Sequence, residues 1–188
     1  MNYFTFEENE NGYTLTDYLA KEDPSVTSVE IPSGYEGKPV TAVGDCAFTS
    51  ARYLTAIKIP ASVVEIGMET FSGCSSLAAI ELPEQITEVP DECFSACESL
   101  KKVVIPDKVT EIGEYAFNSC RSLEYAVLPA GMKSIGPGAF SSNPELKTVN
   151  IPGGDIKIAD SAFNNCPKLV LKKEPKGFTG WLKSLFKK

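Results

Sequence analysis

Phenylalanine recurs every 23 residues along this chain, at Phe48, Phe71, Phe94, Phe117, Phe140 and Phe163. Five successive hits at one fixed interval have chance odds on the order of one in a million, so a repeat architecture is the first reading to test. Three further series keep the same register. One is Leu54, Leu77, Leu100, Leu123, Leu146 and Leu169. Another is an aliphatic residue followed by proline: Ile59-Pro60, Leu82-Pro83, Ile105-Pro106, Leu128-Pro129 and Ile151-Pro152, with Pro175 continuing the register alone. The last is Ile66, Val89, Ile112, Ile135 and Ile158, followed by glycine at Gly67, Gly113 and Gly136.

Residues 54–76 show what one unit does. Leu54, Ile57 and Ile59 fall on a strand's inward positions, with Lys58 on the opposite side. Pro60 cannot donate to a ladder and ends the strand. Val63 and Ile66 give a second short inward face, and Gly67 allows a sharp turn. The segment around Phe71 reads as a brief helical turn, with Asp45, Asp91, Glu114 and Asp160 as its acidic caps in other units. One such unit cannot bury its apolar face alone. Copies stacked at the strand spacing of about 4.8 Å share a continuous core.

The array has ends. Residues 1–25 contain FTFEENENGYTLTDY, a hairpin with Asn11-Gly12 in or near its turn, placed to cap the first coil. Residues 26–171 form the solenoid: six coils, the first with five extra residues in SGYEGKPV, and the start of a seventh. Residues 172–188 are a basic amphipathic tail. Six lysines and Glu174 give it a charge of +5, against −12 for residues 1–171 with 12 basic and 24 acidic residues. An acidic body repels phosphate backbones and argues against nucleic acid as a partner.

The string Leu100, Val103, Ile105, Pro106, Val109, Ile112, Gly113, Ala116, Phe117, Cys120 resembles the BspA-type class of leucine-rich repeats. The segment IPSGYEGKPVTAVGDCAF resembles the first repeat usual in that class. The likeness covers residues 26 to 175. It implies a right-handed superhelix with a parallel β-sheet on one face and short strands or helical turns on the other. Characterised members of the class are mostly bacterial or protist surface proteins that bind host or matrix proteins or other cells. The chain departs from the pattern at Pro90 and Ala159 in place of glycine, Asn143 in place of cysteine and Asp155 in place of valine.

Four of the six cysteines, Cys74, Cys97, Cys120 and Cys166, share one repeat position. A metal site would need ligands converging from short pairs, and the chain has no histidine. A ladder of reduced, buried, metal-free thiols fits better. Glu65, Glu88 and Glu111 stack in register as a solvated acidic stripe rather than a cation site. No nucleophile–base pair and no phosphate-cradling glycine loop stands out, so the chain reads as no enzyme and needs no cofactor.

The expected function is a non-catalytic protein-interaction module, its ligand another protein. The expected binding face is the outward side of the sheet, at Lys58, Glu81, Lys102, Val104, Tyr125, Val127, Thr148 and Asn150, with Val104, Tyr125 and Val127 as an apolar patch. The alternative is a membrane-peripheral or cell-surface adhesion protein. Trp181, Leu182, Leu185 and Phe186 share one side of a short helix in the tail. That side either caps the last coil near Leu169 or lies on an anionic membrane. The acidic, polar start MNYFTFEENENG is unlike a secretory signal, so a complete chain is expected in the cytoplasm, whereas the family likeness points to the cell surface. The patterning specifies no oligomer, and a monomer is the expected state.

Overall fold

The computed structural model describes residues 3–173. The calls on Trp181, Leu182, Leu185 and Phe186 therefore lie outside the described residues. Fifteen short strands succeed one another: β1 Phe4–Asn9, β2 Gly12–Tyr18, β3 Ser28–Glu30, β4 Gly34–Tyr35, β5 Lys38–Val43, β6 Ala56–Lys58, β7 Glu65–Ile66, β8 Glu88–Val89, β9 Lys102–Val104, β10 Glu111–Ile112, β11 Tyr125–Val127, β12 Ser134–Ile135, β13 Thr148–Ile151, β14 Lys157–Ile158 and β15 Val170–Lys173. Strands of neighbouring coils pair in parallel, as in Tyr125 opposite Lys102 and Thr148, whereas β1–β2 and β4–β5 are antiparallel hairpins. The front sheet runs β9-β11-β13-β15, with β3-β6 ahead of it, and β8-β10-β12-β14 forms a second face.

The third face carries the phenylalanines, and here the helical-turn expectation needs correction. No helix occurs among the described residues. Five coils instead place two residues in the left-handed region, and the coil of Phe163 places one. Cys46, Glu69, Glu92, Tyr115 and Gly138 share one position, and Ser50, Gly73, Ala96, Ser119, Ser142 and Asn165 share the other. Left-handed residues interrupt helical progression, so the amides between them point at the neighbouring coil. The Phe71 N–H donates to the Cys93 carbonyl (2.9 Å), Phe94 to Ala116 (2.8 Å) and Phe117 to Ala139 (2.7 Å).

The acidic positions follow the same logic. Asp45 accepts from the Met68 N–H (2.8 Å) and Asp91 from the Glu114 N–H (2.6 Å), each one coil onward rather than at a helix start. The glycines are explained by these aspartates. A Cβ on Gly67 would lie 2.3 Å from Asp45 Oδ1, and one on Gly113 would lie 2.4 Å from Asp91 Oδ1. Where the preceding coil has Met68 or Pro137 in place of the acid, the glycine gives way to Pro90 or Ala159. Those two departures from the repeat are thus one rule.

Pro90 has a cost. Gly67, Gly113, Gly136 and Ala159 donate their N–H to Val43, Val89, Ile112 and Ile135 of the coil before, each at 2.8–3.0 Å. Proline has no N–H to give. The nearby bond is missing too: Val64, Thr110 and Lys133 donate to Thr41, Thr87 and Thr110, but among the described residues Thr87 has no such bond to Val64. On the front face of the same coil, Ala78 and Ala79 are poor strand formers, and the bonds from Ala78 and Lys101 stretch to 3.3 and 3.4 Å. The second-face sheet therefore breaks between the coils that begin at Leu54 and Leu77, and the front sheet is interrupted on both sides of the Leu77 coil. The third face holds across the break, through Glu69 to Asp91, Phe71 to Cys93 and Gly73 to Ser95.

The core is one column of rings. From Phe48 to Phe140 successive centroids lie 5.2–5.4 Å apart, and Phe140 to Phe163 is 5.6 Å. Tyr18 from the N-terminal hairpin starts the column, stacked 5.2 Å from Phe48. That hairpin joins the second face through β2, parallel to β5. The extra residues of the first coil make the tight hairpin β4–β5, with Glu36 and Gly37 both at positive φ as its turn.

Two outcomes test this architecture. Phe117 is fully buried, so Phe117→Ala should lower unfolding free energy by about 3–5 kcal/mol in denaturant titration. In native-state hydrogen exchange, the Thr87 amide should exchange faster than those of Thr110 and Lys133. Equal protection at all three would disprove the break.

Candidate protein-binding surface

The front strands alternate. Ile57, Val103, Ala126 and Val149 point inward and are buried. The residues on either side form two outward ladders in register: Ser28, Ala56, Lys102, Tyr125, Thr148 and Glu30, Lys58, Val104, Val127, Asn150. Glu81 belongs to the second ladder by repeat position, in the coil that lacks a front strand. Lys58 and Glu81 are exposed; Lys102, Val104, Tyr125 and Thr148 are half-buried.

Two residues of the expected face are not exposed. Val127 is 3% and Asn150 1% accessible. Asn150 is tied to the backbone: its Oδ1 accepts from the Leu128 N–H at 2.9 Å and its Nδ2 donates to the Leu128 carbonyl at 3.4 Å. Val127 sits in register between Val104 and Asn150, so its flanks are filled. The open face is therefore Lys58, Glu81, Lys102, Val104, Tyr125 and Thr148.

Charge on this side is paired between coils. Lys58 bonds Glu30 at 2.6 Å, Lys168 bonds Glu145 at 2.6 Å, and Lys147 bonds Glu124. Lys147 Nζ also lies 5.8 Å from the Tyr125 ring centre. Such exposed pairs contribute little each, about 0–1 kcal/mol, and chiefly set local charge pattern.

The opposite face carries features that periodicity did not single out. Met68 and Tyr115 are large, exposed apolar side chains there. A shallow groove crosses several coils on this side, past Met68, Glu88, Pro90, Asp91, Glu111 and Ser134. Tyr115 is one of the left-handed residues, and its ring lies over Gly138, where a Cβ would come within 2.3 Å. A signal existed: Gly138 falls one repeat beyond Tyr115. Glu88 and Glu111 stand opposite each other in register and exposed, while Glu65 lies on the far side of the break and pairs with Ala42.

The repeat-position cysteines face inward. Cys74, Cys97 and Cys120 are buried, and Cys166 is partly so. Each thiol donates to the carbonyl of the phenylalanine one coil back: Cys74 to Phe48 (3.2 Å), Cys97 to Phe71 (3.2 Å), Cys120 to Phe94 (3.1 Å) and Cys166 to Phe140 (3.0 Å). Asn143 fills the same slot and donates to Phe117 (2.9 Å) and Phe140 (2.8 Å), which accounts for its departure from cysteine. Burial pushes the Cys74 and Cys120 thiols up to about 12, and raises Cys93 and Cys97 well above the ordinary thiol range.

Residues 41–170 match the BspA-type leucine-rich-repeat region, in six copies. The chain belongs to the BspA-type leucine-rich-repeat family. Repeats of this family are generally protein-interaction or surface modules. Among solved structures, the leucine-rich-repeat protein of T. pallidum is 35% identical with a TM-score of 0.81, over 92% of this chain and 80% of that one. A leucine-rich cell-surface protein of Faecalibacterium prausnitzii is 30% identical with a TM-score of 0.70, over 97% of this chain and 40% of that one. A leucine-rich-repeat protein of Bacteroides ovatus is 29% identical with a TM-score of 0.65, over 93% of this chain and 52% of that one. This chain thus spans about half or less of the last two. No curated protein matches it in sequence. Among the described residues no helix is long and apolar enough to cross a membrane.

The thiol column of this BspA-type repeat links stability to pH. Folded thiols at about 12 stay protonated where unfolded ones, near 9, ionise. The unfolded state then binds fewer protons, so this stabilisation is complete below about pH 9 and is lost as pH rises toward 12. Denaturation midpoints should fall across that window, and less steeply for Cys120→Ala than for the parent. Identical slopes would show that the thiol does not contribute.

Proposed function

We propose that this chain is a non-catalytic protein-interaction module whose ligand, another protein, binds the outward face of the front sheet at Lys58, Glu81, Lys102, Val104, Tyr125 and Thr148. The observation that carries the reading is the contrast along each strand. Inward positions repeat as small or aliphatic residues and are buried, while the outward ladders vary from coil to coil in charge, size and polarity. A varied surface on an invariant frame is what a repeat scaffold offers for recognition. Tyr125 is its centre: a half-buried aromatic with Lys102 and Thr148 beside it in register, of the type that dominates interface energetics.

A second reading is that the ligand is met at the cell surface, as an adhesion or matrix-type contact. What favours it is the 30% likeness to the cell-surface protein of F. prausnitzii. The two readings share the binding face and differ in where the partner is found.

Affinity capture with the parent and with the double variant Tyr125→Ala, Lys102→Glu tests the face. Loss of an anchoring tyrosine costs about 2 kcal/mol, roughly 30-fold in affinity, so the captured ligand should disappear from the variant. Thermal unfolding should move little, since both side chains are partly exposed. Full capture by this variant, with loss on Glu88→Ala, Glu111→Ala instead, would move the site to the opposite face.

A further inference from the structure

Large exposed apolar side chains are few on the flanks of the stack. Among the described residues they are Val64, Met68 and Tyr115; the others, Leu19, Val170 and Leu171, follow the N-terminal hairpin or lie in the last strand. All three flank one feature, the shallow groove opposite the front sheet. Met68 lines it, Val64 adjoins Glu65, and Tyr115 comes two residues after the groove's Gly113. The floor is held low. A Cβ on Gly113 would lie 2.4 Å from Asp91 Oδ1, and one on Gly136 would lie 2.9 Å from the Gly113 carbonyl carbon. Exposed carboxylates stand beside it, from Glu88 and Glu111, with Glu65 at the same repeat position. On the front side Glu30, Glu124 and Glu145 each bond a lysine of the next coil. Among the described residues no ion pair reaches Glu65, Glu88 or Glu111.

We propose that this groove binds a short extended segment of another protein, in which lysine or arginine alternates with large apolar residues. The floor separates two kinds of wall. The carboxylate column lies two residues before it in each coil, and Met68 and Tyr115 lie one and two residues after it. Successive side chains of an extended segment point to opposite sides, so one set meets each wall. The carboxylates offer only acceptors, and a lysine or arginine head offers only donors. The stem of such a side chain can lie along apolar surface while its head reaches the charge. Methionine and tyrosine are residue types that interfaces favour. From the coil of Met68 to that of Ser134 is three steps, about 14 Å, which about four or five extended residues span. Unmatched negative charge repels phosphate backbones and anionic lipid, so the polymer that fits is a cationic peptide. A second copy of this chain, at a net charge of −7, is repelled in the same way. The groove is separate from the front sheet, and its ligand does not depend on any ligand held there.

Fluorescence anisotropy of a labelled Lys-Leu-Lys-Leu-Lys-Leu peptide, titrated with the full-length protein, tests the groove. Binding should saturate and weaken with salt. The double variant Glu88→Gln, Glu111→Gln should weaken it roughly tenfold, through two exposed charge contacts. Met68→Ser should weaken it about fivefold, through lost apolar contact. The front-face variant Tyr125→Ala, Lys102→Glu should bind the peptide as the parent does, and capture at the front sheet should persist in the groove variants. All these side chains are at least partly exposed, so unfolding midpoints should stay close to the parent's. Four results would overturn the inference: no saturable binding up to about 1 mM, equal binding of a peptide with glycine in place of leucine, unchanged affinity in both groove variants, or loss in the front-face variant. The second reduces the contact to diffuse charge attraction, and the last moves the peptide to the front sheet.

Discussion

Each phenylalanine ring rests on the ring 23 residues away, and the same residue's amide reaches across to the next coil. This paired contact holds the stack on the face that has no regular strand. Stacked aromatic pairs contribute about 0.5–1.5 kcal/mol beyond their buried area, and the column runs unbroken from Tyr18 to Phe163. The thiols and Asn143 then satisfy the phenylalanine carbonyls. The residue before each ring is small and fully buried: Ala47, Thr70, Cys93, Ala116, Ala139 and Ala162.

The inward positions were legible because burial imposes the same residue on every coil. Tyr18 was not, since it enters from the hairpin and lies outside the 23-residue register. The left-handed residues were hidden for another reason. Glycine marks such positions when entropy decides, but here Glu69, Glu92 and Tyr115 are held there by bonds to the next coil. The aspartates misled as caps because a carboxylate accepting a backbone N–H looks alike in sequence whether that N–H is two residues or 23 residues away. Pro90 and Ala159 looked like decay of the pattern until Met68 and Pro137 were seen to remove the need for glycine.

The surface was legible in part. Alternation puts Lys58, Lys102, Val104, Tyr125 and Thr148 on the outward side of their strands, and Glu81 is exposed in the coil without a front strand. It could not assign burial at Val127 and Asn150, because period-two patterning tells which side a residue faces and nothing about how far its ladder neighbours and its own hydrogen bonds close it in. Asn150 held a clue: an amide able to bond both groups of one peptide suits a closed position better than an open one.

A stack in which each coil touches only its neighbours carries load in series, and a series chain parts at its weakest joint. That joint is where Pro90 withholds its N–H and Ala78 holds only a stretched bond. Tension along the axis would concentrate there, leaving a short N-terminal block and a longer C-terminal block each intact. The joint still has its phenylalanine column, so it gives by bending toward that face before it separates. A surface built on both blocks can therefore change its curvature without unfolding any coil.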